Sequence, residues 1–188
     1  VDAWVLETAL SSFDALMPGG EPLQTVAINL SGQTVDDDVF ADRVLDLLQR
    51  HTVPAHKLCF EITETSAIAN LNSATQFMST VRDLGCRFAL DDFGSGLSSF
   101  AYLKNLQVDV LKIDGQFVKD ILDDPIDETM VRSIHEIGHA MGMETIAEFV
   151  ENTAIQERLR QIGVDYAQGY GIGKPAPIDH LLKHSQQD

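Results

Sequence analysis

The sequence predicts an α/β fold in which parallel strands alternate with helices, either doubly wound or closed into a barrel. Three observations support this prediction. Short apolar runs alternate along the 188-residue chain with segments whose apolar residues recur every three or four positions, the spacing of an amphipathic helix. The runs are almost continuously apolar, which is typical of parallel strands covered on both faces. Each of the six runs ends in a polar side chain, where burial alone would favour an apolar one.

Five helices are predicted from the apolar spacing. The first begins near Asp2 and ends at the Pro-Gly-Gly turn of residues 18–20. Gly85, Gly142 and Gly163 mark the ends of the last three helices. The predicted apolar stripes are, in chain order, Val5, Ala9, Phe13 and Leu16; Phe40, Val44, Leu47 and Leu48; Phe77, Val81 and Leu84; Met130, Ile134, Ile137 and Met141; and Ile155, Leu159 and Ile162.

Six strands are predicted between the helices, and their carboxyl ends carry polar groups. The apolar runs are 26–30, 58–62, 88–90, 108–113, 145–147 and 164–167. The polar residues at their ends are Asn29, Glu61, Asp91 with Asp92, Lys112, Glu148 and Gln168. In a (β/α) barrel these ends converge on one mouth, so carboxylate, amide and ammonium groups distant in sequence would share one pocket. Polar strand ends that simply meet solvent are the alternative, but that alternative is weak for all six together.

So many carboxylates in one pocket would repel each other and require a counter-charge. Oxygen ligands select hard divalent cations such as Mg²⁺ or Mn²⁺, and the strand ends lack the His and Cys that zinc prefers. Adjacent Asp91 and Asp92 suggest two metal ions, an arrangement characteristic of phosphoester chemistry. The residues therefore predict a metal-dependent phosphoesterase.

Composition restricts the class of protein further. The chain is 44% hydrophobic, suits one domain over residues 1–188, and has no apolar run near the ~20 residues that span a bilayer. Cys59 and Cys86 adjoin apolar runs, which predicts core thiols in a reducing cytosol rather than a disulfide. A formal charge of −16 argues against a polynucleotide partner. The predicted location is cytoplasmic, either as a free protein or as the cytosolic part of a membrane-tethered one.

Several motifs together carry a resemblance to a known family. They are Asn29-Leu30-Ser31, Glu61-Ile62-Thr63-Glu64, the Asp91–Gly96 segment, Leu111-Lys112-Ile113-Asp114, Ala147-Glu148 with Glu151, and Gln168-Gly169-Tyr170. In order and spacing the chain resembles the EAL domain family of bacterial cyclic-di-GMP phosphodiesterases. The resemblance implies a modified TIM-type (β/α)8 barrel, here lacking its first strands, that hydrolyses cyclic-di-GMP to linear pGpG with two Mg²⁺ or Mn²⁺ ions.

The same resemblance assigns roles to individual residues. Lys112 would contact the attacking water, Asp92 or Lys112 would take its proton, and Glu64 would brace the loop that follows Asp92. That loop, residues 94–99, would couple a homodimer interface to metal binding. The implied metal ligands are Asn29, Glu61, Asp91, Asp92 and Glu148. The implied substrate-binding residues are Gln168, Glu151 and Asp114.

Three departures from the family pattern suggest an alternative function. The chain begins at the helix that would follow the Glu-Ala-Leu motif, so the domain is expected to be N-terminally incomplete and this chain to be inactive without that segment. Phe149 stands where the family usually has glycine and would crowd the site, and Gly115 replaces a usual arginine. The alternative is a degenerate module that binds cyclic-di-GMP or a protein partner without turnover. Sensory or cyclase domains are expected to flank it in the full protein.

Two further motifs are rejected. The His-Glu-x-x-His sequence at residues 135–139 is a zinc protease signature when both histidines face the active site. The predicted apolar stripe leaves both His135 and His139 at its side, which argues against zinc. The triplet at residues 92–94 imitates the metal-binding Asp-Phe-Gly of kinases, but no glycine-rich phosphate loop accompanies it.

Overall fold

The structure is a computed structural model that describes residues 1–16, 24–51, 53–96 and 100–177. The helices and strands are α1 (Asp2–Leu16), β1 (Val26–Asn29), α2 (Gly32–Val35), α3 (Asp38–Arg50), β2 (Leu58–Thr63), α4 (Glu64–Ala69), α5 (Leu71–Asp83), β3 (Arg87–Phe93), β4 (Val110–Ile113), α6 (Gly115–Val118), α7 (Pro125–Ala140), β5 (Glu144–Ala147), α8 (Thr153–Ile162) and β6 (Tyr166–Ala167). Two 3₁₀ turns lie at Ala55–Lys57 and Phe100–Asn105. The predicted α/β class is confirmed, because strands and helices alternate along the chain.

The chain forms two compact units. The described part of the first unit comprises residues 1–16, 24–51, 53–62, 69–88 and 175–177. Its strands β1 and β2 pair in parallel, from Val26 opposite Leu58 to Asn29 opposite Glu61. Its core includes Phe88, whose ring centroid lies 5.8 Å from that of Phe60. These rings and the apolar stripes of α3 and α5 build the core of this unit.

The second unit comprises the described residues of 63–68 and 89–174. Strands β3, β4, β5 and β6 lie side by side and are all parallel. Strand β4 is buried over its whole length, as the continuous apolar run predicted. Helix α7 covers β4 and β5, and its first turn is fixed by the Asp124 side chain, which accepts a hydrogen bond from the Ile126 amide.

Several strands differ from their predicted extents. Strand β3 runs on through Phe93, so Asp91 and Asp92 belong to the strand rather than following it. Strand β6 is shorter than predicted and its Tyr166 is exposed. Strand β1 alternates in burial, with Ala27 exposed. Hydrophobic runs therefore located all six strands, but near-continuous burial is found in β2, β4 and residues 88–90 of β3, and not in β1, β5 or β6.

Two helices bury a face that is rotated from the predicted stripe, although Ile134 is buried as predicted. Helix α1 buries Leu6 and Leu10 rather than Val5 and Ala9. Helix α7 buries Val131, Ile134, His135 and Gly138, whereas Met141 is exposed. For α7 the reason is close packing against the sheet. A Cβ on Gly138 would lie 3.0 Å from Thr145 Cγ2, so the glycine lets this helix approach β5.

The remaining expectations concern termini and thiols. The side chains of Phe13 and Leu16, the turn at 18–20 and residues 97–99 lie outside the described residues. Gly85, Gly142 and Gly163 follow α5, α7 and α8 in left-handed conformations, as predicted. Cys59 and Cys86 are buried and form no disulfide. Within the described residues, every helix is too short or too polar to cross a bilayer.

Candidate active site

A bulge near the end of β3 presents two adjacent carboxylates together. Leu90 pairs with Leu111 and Phe93 with Ile113, so β3 contains one residue more than β4 across this interval. Asp92 adopts a left-handed conformation with φ of 53°. Consecutive residues of a regular strand point to opposite faces, and a bulge changes that direction. Carboxylate oxygens of Asp91, Asp92 and Glu148 consequently come within 4.8 Å of one another.

Lys112 lies between two of these carboxylates. It sits in the middle of buried β4 and is only 2% exposed. Its Nζ lies 2.7 Å from Asp91 Oδ1 and 3.0 Å from Glu148 Oε1. Asp91 Oδ1 also accepts a hydrogen bond from the Asp92 amide at 3.1 Å. We call Asp91, Asp92, Lys112 and Glu148 the carboxylate cluster.

The carboxylate cluster carries more negative than positive charge. Burial, reinforced by Asp91 and Asp92, raises the pKa of Glu148 to about 7 even though Lys112 opposes the shift. Burial also raises the pKa of Asp92, with further contributions from Asp91 and Asp114. Asp91 therefore makes ionisation of both Asp92 and Glu148 less favourable, and one ammonium does not balance three carboxylates.

These residues fit a divalent metal. Three carboxylate oxygens within 4.8 Å of one another form an oxygen-only donor set. Such a set suits hard cations, and Mg²⁺ or Mn²⁺ would supply the positive charge that the cluster lacks. Asp91, Asp92 and Glu148 are the residues that would hold it.

Glu64 braces the segment that follows Asp92. It is 3% exposed, and its Oε2 accepts a hydrogen bond from the Gly94 amide at 3.0 Å. Its Oε1 accepts a hydrogen bond from the Tyr102 hydroxyl at 2.6 Å. Burial and this carboxylate raise the pKa of Tyr102, which keeps the hydroxyl protonated as a donor. The sequence reasoning missed Tyr102, since a single tyrosine in a short turn gives no periodic signal.

A cavity of about 370 Å³ adjoins the carboxylate cluster. It is lined by Glu148, Phe149, Glu151, Gln168, Gly169 and Tyr170. Backbone hydrogen bonds fix its two sides together, because the Val150 amide donates to the Gln168 carbonyl at 3.0 Å and the Gln168 amide to the Ala147 carbonyl at 2.8 Å. Two predicted substrate-binding residues, Glu151 and Gln168, therefore border one cavity.

The remaining predicted site residues are Asp114, Asn29 and Glu61. Asp114 caps α6, where its carboxylate accepts a hydrogen bond from the Gln116 amide at 2.8 Å. Asn29 and Glu61 belong to the first unit and are register partners at the ends of β1 and β2. Asn29 is exposed and Glu61 is buried.

The His-Glu-x-x-His motif forms a second polar cluster, and its predicted placement was wrong for His135, which is buried, but not for His139, which is exposed. His135 is buried against β5, with Nδ1 2.9 Å from Thr145 Oγ1. The Thr145 hydroxyl donates to Asp165 Oδ2 at 2.8 Å, and His139 Nε2 lies 3.0 Å from the same oxygen. His135, His139 and Asp165 also offer ligand atoms within 4.8 Å of one another. We call His135, His139, Thr145 and Asp165 the histidine network.

Comparison with known protein families identifies the family to which this chain belongs. The sequence profile of the EAL domain matches residues 1–175. The chain belongs to the EAL domain family. This confirms the resemblance drawn from the strand-end motifs and the fold class that it implied.

The EAL domain has named relatives. Over 153 residues it is 46% identical to "Cyclic di-GMP phosphodiesterase PdeB" of Shewanella oneidensis, covering 81% of this chain and 18% of the relative. Over 182 residues it is 40% identical to "Cyclic di-GMP phosphodiesterase PdeF" of Escherichia coli, covering 97% of this chain and 24% of the relative. The chain thus spans less than a quarter of the length of either relative.

A solved structure supports the same fold. The EAL domain superposes on the PaMucR phosphodiesterase, solved as a complex with cyclic-di-GMP, with a TM-score of 0.89 and 32% identity. The match covers 95% of this chain and 72% of that one.

Proposed function

We propose that this EAL domain hydrolyses cyclic-di-GMP to linear pGpG with two divalent cations, Mg²⁺ or Mn²⁺. The carboxylate cluster carries the proposal, because its three carboxylate oxygens lie within 4.8 Å of one another, a donor set that suits divalent cations, and it adjoins a cavity. The relatives named as cyclic di-GMP phosphodiesterases support the substrate, as does the cyclic-di-GMP complex of PaMucR.

The protein's own residues would hold the ions and control protons. Bound divalent cations supply Lewis acidity, which activates water and stabilises charge on a phosphate. Asp91, Asp92 and Glu148 would hold them, while Lys112 fixes the Asp91 and Glu148 carboxylates through its two ion pairs. Burial and neighbouring acids raise the pKa of Asp92, so we favour its carboxylate as the acceptor of the proton from the attacking water. Lys112 would donate a hydrogen bond to that water.

Other residues would position the substrate and the bulge. The Glu64 carboxylate holds the Gly94 amide, and Tyr102 fixes that carboxylate from the other side. Glu151 and Gln168 border the cavity and would contact the dinucleotide. The roles of Asp114 in substrate binding and of Asn29 and Glu61 as metal ligands stay predictions from the family pattern, as does the homodimer.

To test the proposal, the full-length protein is incubated with cyclic-di-GMP in the presence of Mg²⁺, Mn²⁺ or EDTA. We expect pGpG with either cation and none with EDTA. A thermal unfolding series gives a second readout: cation should raise the midpoint of the wild-type protein but not of Asp91→Asn, which keeps the side-chain shape and removes a ligand charge. Exposed Asp83→Asn is the matched control and should keep the cation-dependent shift.

The outcomes separate the functional classes. Product formed equally well in EDTA would contradict the metal mechanism. Tight binding of cyclic-di-GMP without product would favour the alternative of a binding module. Absence of both binding and product would reject cyclic-di-GMP as the ligand.

A further inference from the structure

Phe149 is an exposed aromatic residue held in an unfavourable backbone conformation. It follows Glu148 directly, has φ of 53°, and is 61% exposed. The left-handed region costs a bulky L-residue roughly 1–2 kcal/mol, and an exposed ring contributes little burial to offset that cost. Residues held in this way occur most often at ligand sites. Folding alone therefore gives no reason for a phenylalanine at this position.

Gly115 provides the space that this ring occupies. It is buried and lies one residue after Asp114, just beyond the end of β4. A Cβ on Gly115 would lie 2.0 Å from Phe149 Cδ2 and 2.7 Å from Phe149 Cβ. Because the clash includes the Phe149 Cβ, rotation of the ring cannot relieve it. Phe149 and Gly115 are thus a matched pair, in which any larger residue at 115 excludes the observed position of the phenylalanine.

The ring faces the cavity beside the carboxylate cluster. Phe149 lines this cavity together with Glu148, Glu151, Gln168 and Tyr170. The carboxylate and amide side chains make parts of the wall polar, whereas Phe149 supplies a flat apolar face next to Glu148. A purine base has the matching chemistry, with an extended π face and a polar edge, and stacking of a base on an aromatic side chain is worth about 1–3 kcal/mol.

We propose that Phe149, supported by Gly115, is the stacking surface for one purine base of the substrate. The pair determines affinity for the base and leaves the phosphate chemistry to the carboxylate cluster. This inference rests on the proposed function, since it needs a purine-containing phosphodiester. It contradicts the expectation that Phe149 merely crowds the site.

The first test compares two phosphodiesters in the full protein. Cyclic-di-GMP carries two purine bases, and the same cyclic phosphodiester with both bases replaced by hydrogen carries no aromatic ring. We expect Phe149→Ala to raise KM for cyclic-di-GMP about 5- to 150-fold with little change in kcat, because stacking is lost equally from ground and transition states. The kcat/KM for the base-free cyclic phosphodiester should stay within about twofold of wild type. Phe149→Trp retains a π face and should keep the wild-type KM.

Each other result overturns the inference. An unchanged KM in Phe149→Ala shows that the base does not stack there, and a faster Phe149→Ala enzyme shows that the ring obstructs the site. Equal losses on both substrates show that the ring supports the metal site instead. If the wild type binds cyclic-di-GMP without hydrolysing it, the proposed hydrolysis fails, and the dissociation constants of the same variants decide the inference. A wild type that neither binds nor hydrolyses it overturns both.

The second test examines the dependence of Phe149 on Gly115. We expect Gly115→Ala to lower the unfolding midpoint by more than about 5 °C and to raise KM for cyclic-di-GMP, because the new methyl group displaces the ring. Adding Phe149→Gly should restore the midpoint but not the KM. Gly173→Ala is the matched control, because a Cβ there meets no atom within 4 Å. Additive effects of the two substitutions on the midpoint would overturn the pairing.

Discussion

The carboxylate cluster and the histidine network both bring possible metal ligands together, but they differ in how their charges are balanced. Both offer three potential metal ligands within 4.8 Å of one another. In the histidine network, the imidazole, hydroxyl and carboxylate groups bond to each other, and these hydrogen bonds outweigh burial and lower the pKa of Asp165. In the carboxylate cluster, burial and the neighbouring Asp91 and Asp92 raise the pKa of Glu148 to about 7, although Lys112 opposes the shift. A polar cluster whose hydrogen bonds and charges are balanced by its own members stabilises the fold. A cluster with excess charge instead indicates a ligand site.

Strand β5 connects the two clusters: the histidine network lies near one of its ends and the carboxylate cluster near the other. Thr145 lies near its amino end and anchors the histidine network, and Glu148 follows its carboxyl end in the carboxylate cluster. In barrels of this class the carboxyl ends of the strands carry the chemistry and the amino ends carry stability. The comparison predicts that substitutions separate cleanly into effects on turnover and effects on unfolding.

The largest expected effect comes from Lys112→Met. Methionine fills a similar volume but removes the charge that fixes Asp91 and Glu148, so we expect kcat for cyclic-di-GMP to fall about 10²- to 10⁴-fold. The fold should persist in excess Mg²⁺, because bound cation would still neutralise the carboxylates. Steady-state kinetics and circular dichroism measure the two quantities.

The matched control is Lys119→Met, which removes a charge from an exposed lysine of the same unit. It should leave kcat within about twofold of wild type. Near-normal turnover in Lys112→Met would show that the carboxylate cluster does not need its ammonium and would remove the contrast with the histidine network.

An intermediate effect is expected from Asp165→Asn. Its carboxylate accepts hydrogen bonds from the Thr145 amide and hydroxyl, each at 2.8 Å, and pairs with His139. Loss of the charge should lower the free energy of unfolding by about 1–3 kcal/mol and leave kcat nearly unchanged. Urea unfolding and the hydrolysis assay test both parts.

A suitable control is Asp123→Asn, an exposed residue between α6 and α7. It should unfold like the wild type. A large fall in kcat for Asp165→Asn without loss of stability would mean that the histidine network serves the reaction, and the division along β5 would be wrong.

The sequence predicted the strands and their polar ends well because both depend on local composition. Asp91, Lys112 and Glu148 were identified from the rule that parallel strands end at one edge, and the structure brings them together. The bulge was not predictable in this way. Spacing counts positions along one strand, whereas the extra residue in β3 is defined only by its pairing with β4.

The histidine network and Tyr102 escaped prediction for a related reason. A hydrophobic stripe assigns His135 to the polar side of α7, but Thr145 and Asp165 provide partners that make its burial favourable. Tyr102 is recognised only through its contact with Glu64, which is distant in sequence. Polar residues whose burial depends on distant partners are therefore invisible to periodicity.

The smallest expected effect is a pH dependence that arises from His135. Burial, together with the nearby charges of His139 and Arg132, lowers its pKa below the ordinary 6.5, although Asp165 and Glu136 oppose the shift. The unfolded chain then binds a proton at higher pH than the folded protein does. The contribution of His135 to stability is complete above pH 6.5 and is lost as the pH falls through that value. The lowered pKa of Asp165 acts only in a more acidic window, below its ordinary 3.8.

Urea unfolding at a series of pH values between about 7.5 and 5.5 measures this effect, with His135→Gln as the non-titrating variant. The wild type should lose stability toward the acid end more steeply than His135→Gln, whereas exposed His56→Gln should retain the wild-type slope. The carboxylate cluster is common to all three proteins, so the difference between their curves isolates His135. If the free energy of unfolding of the wild type and of His135→Gln changed equally with pH, the histidine network would tolerate a protonated His135. Its hydrogen bonds would then not require a neutral imidazole.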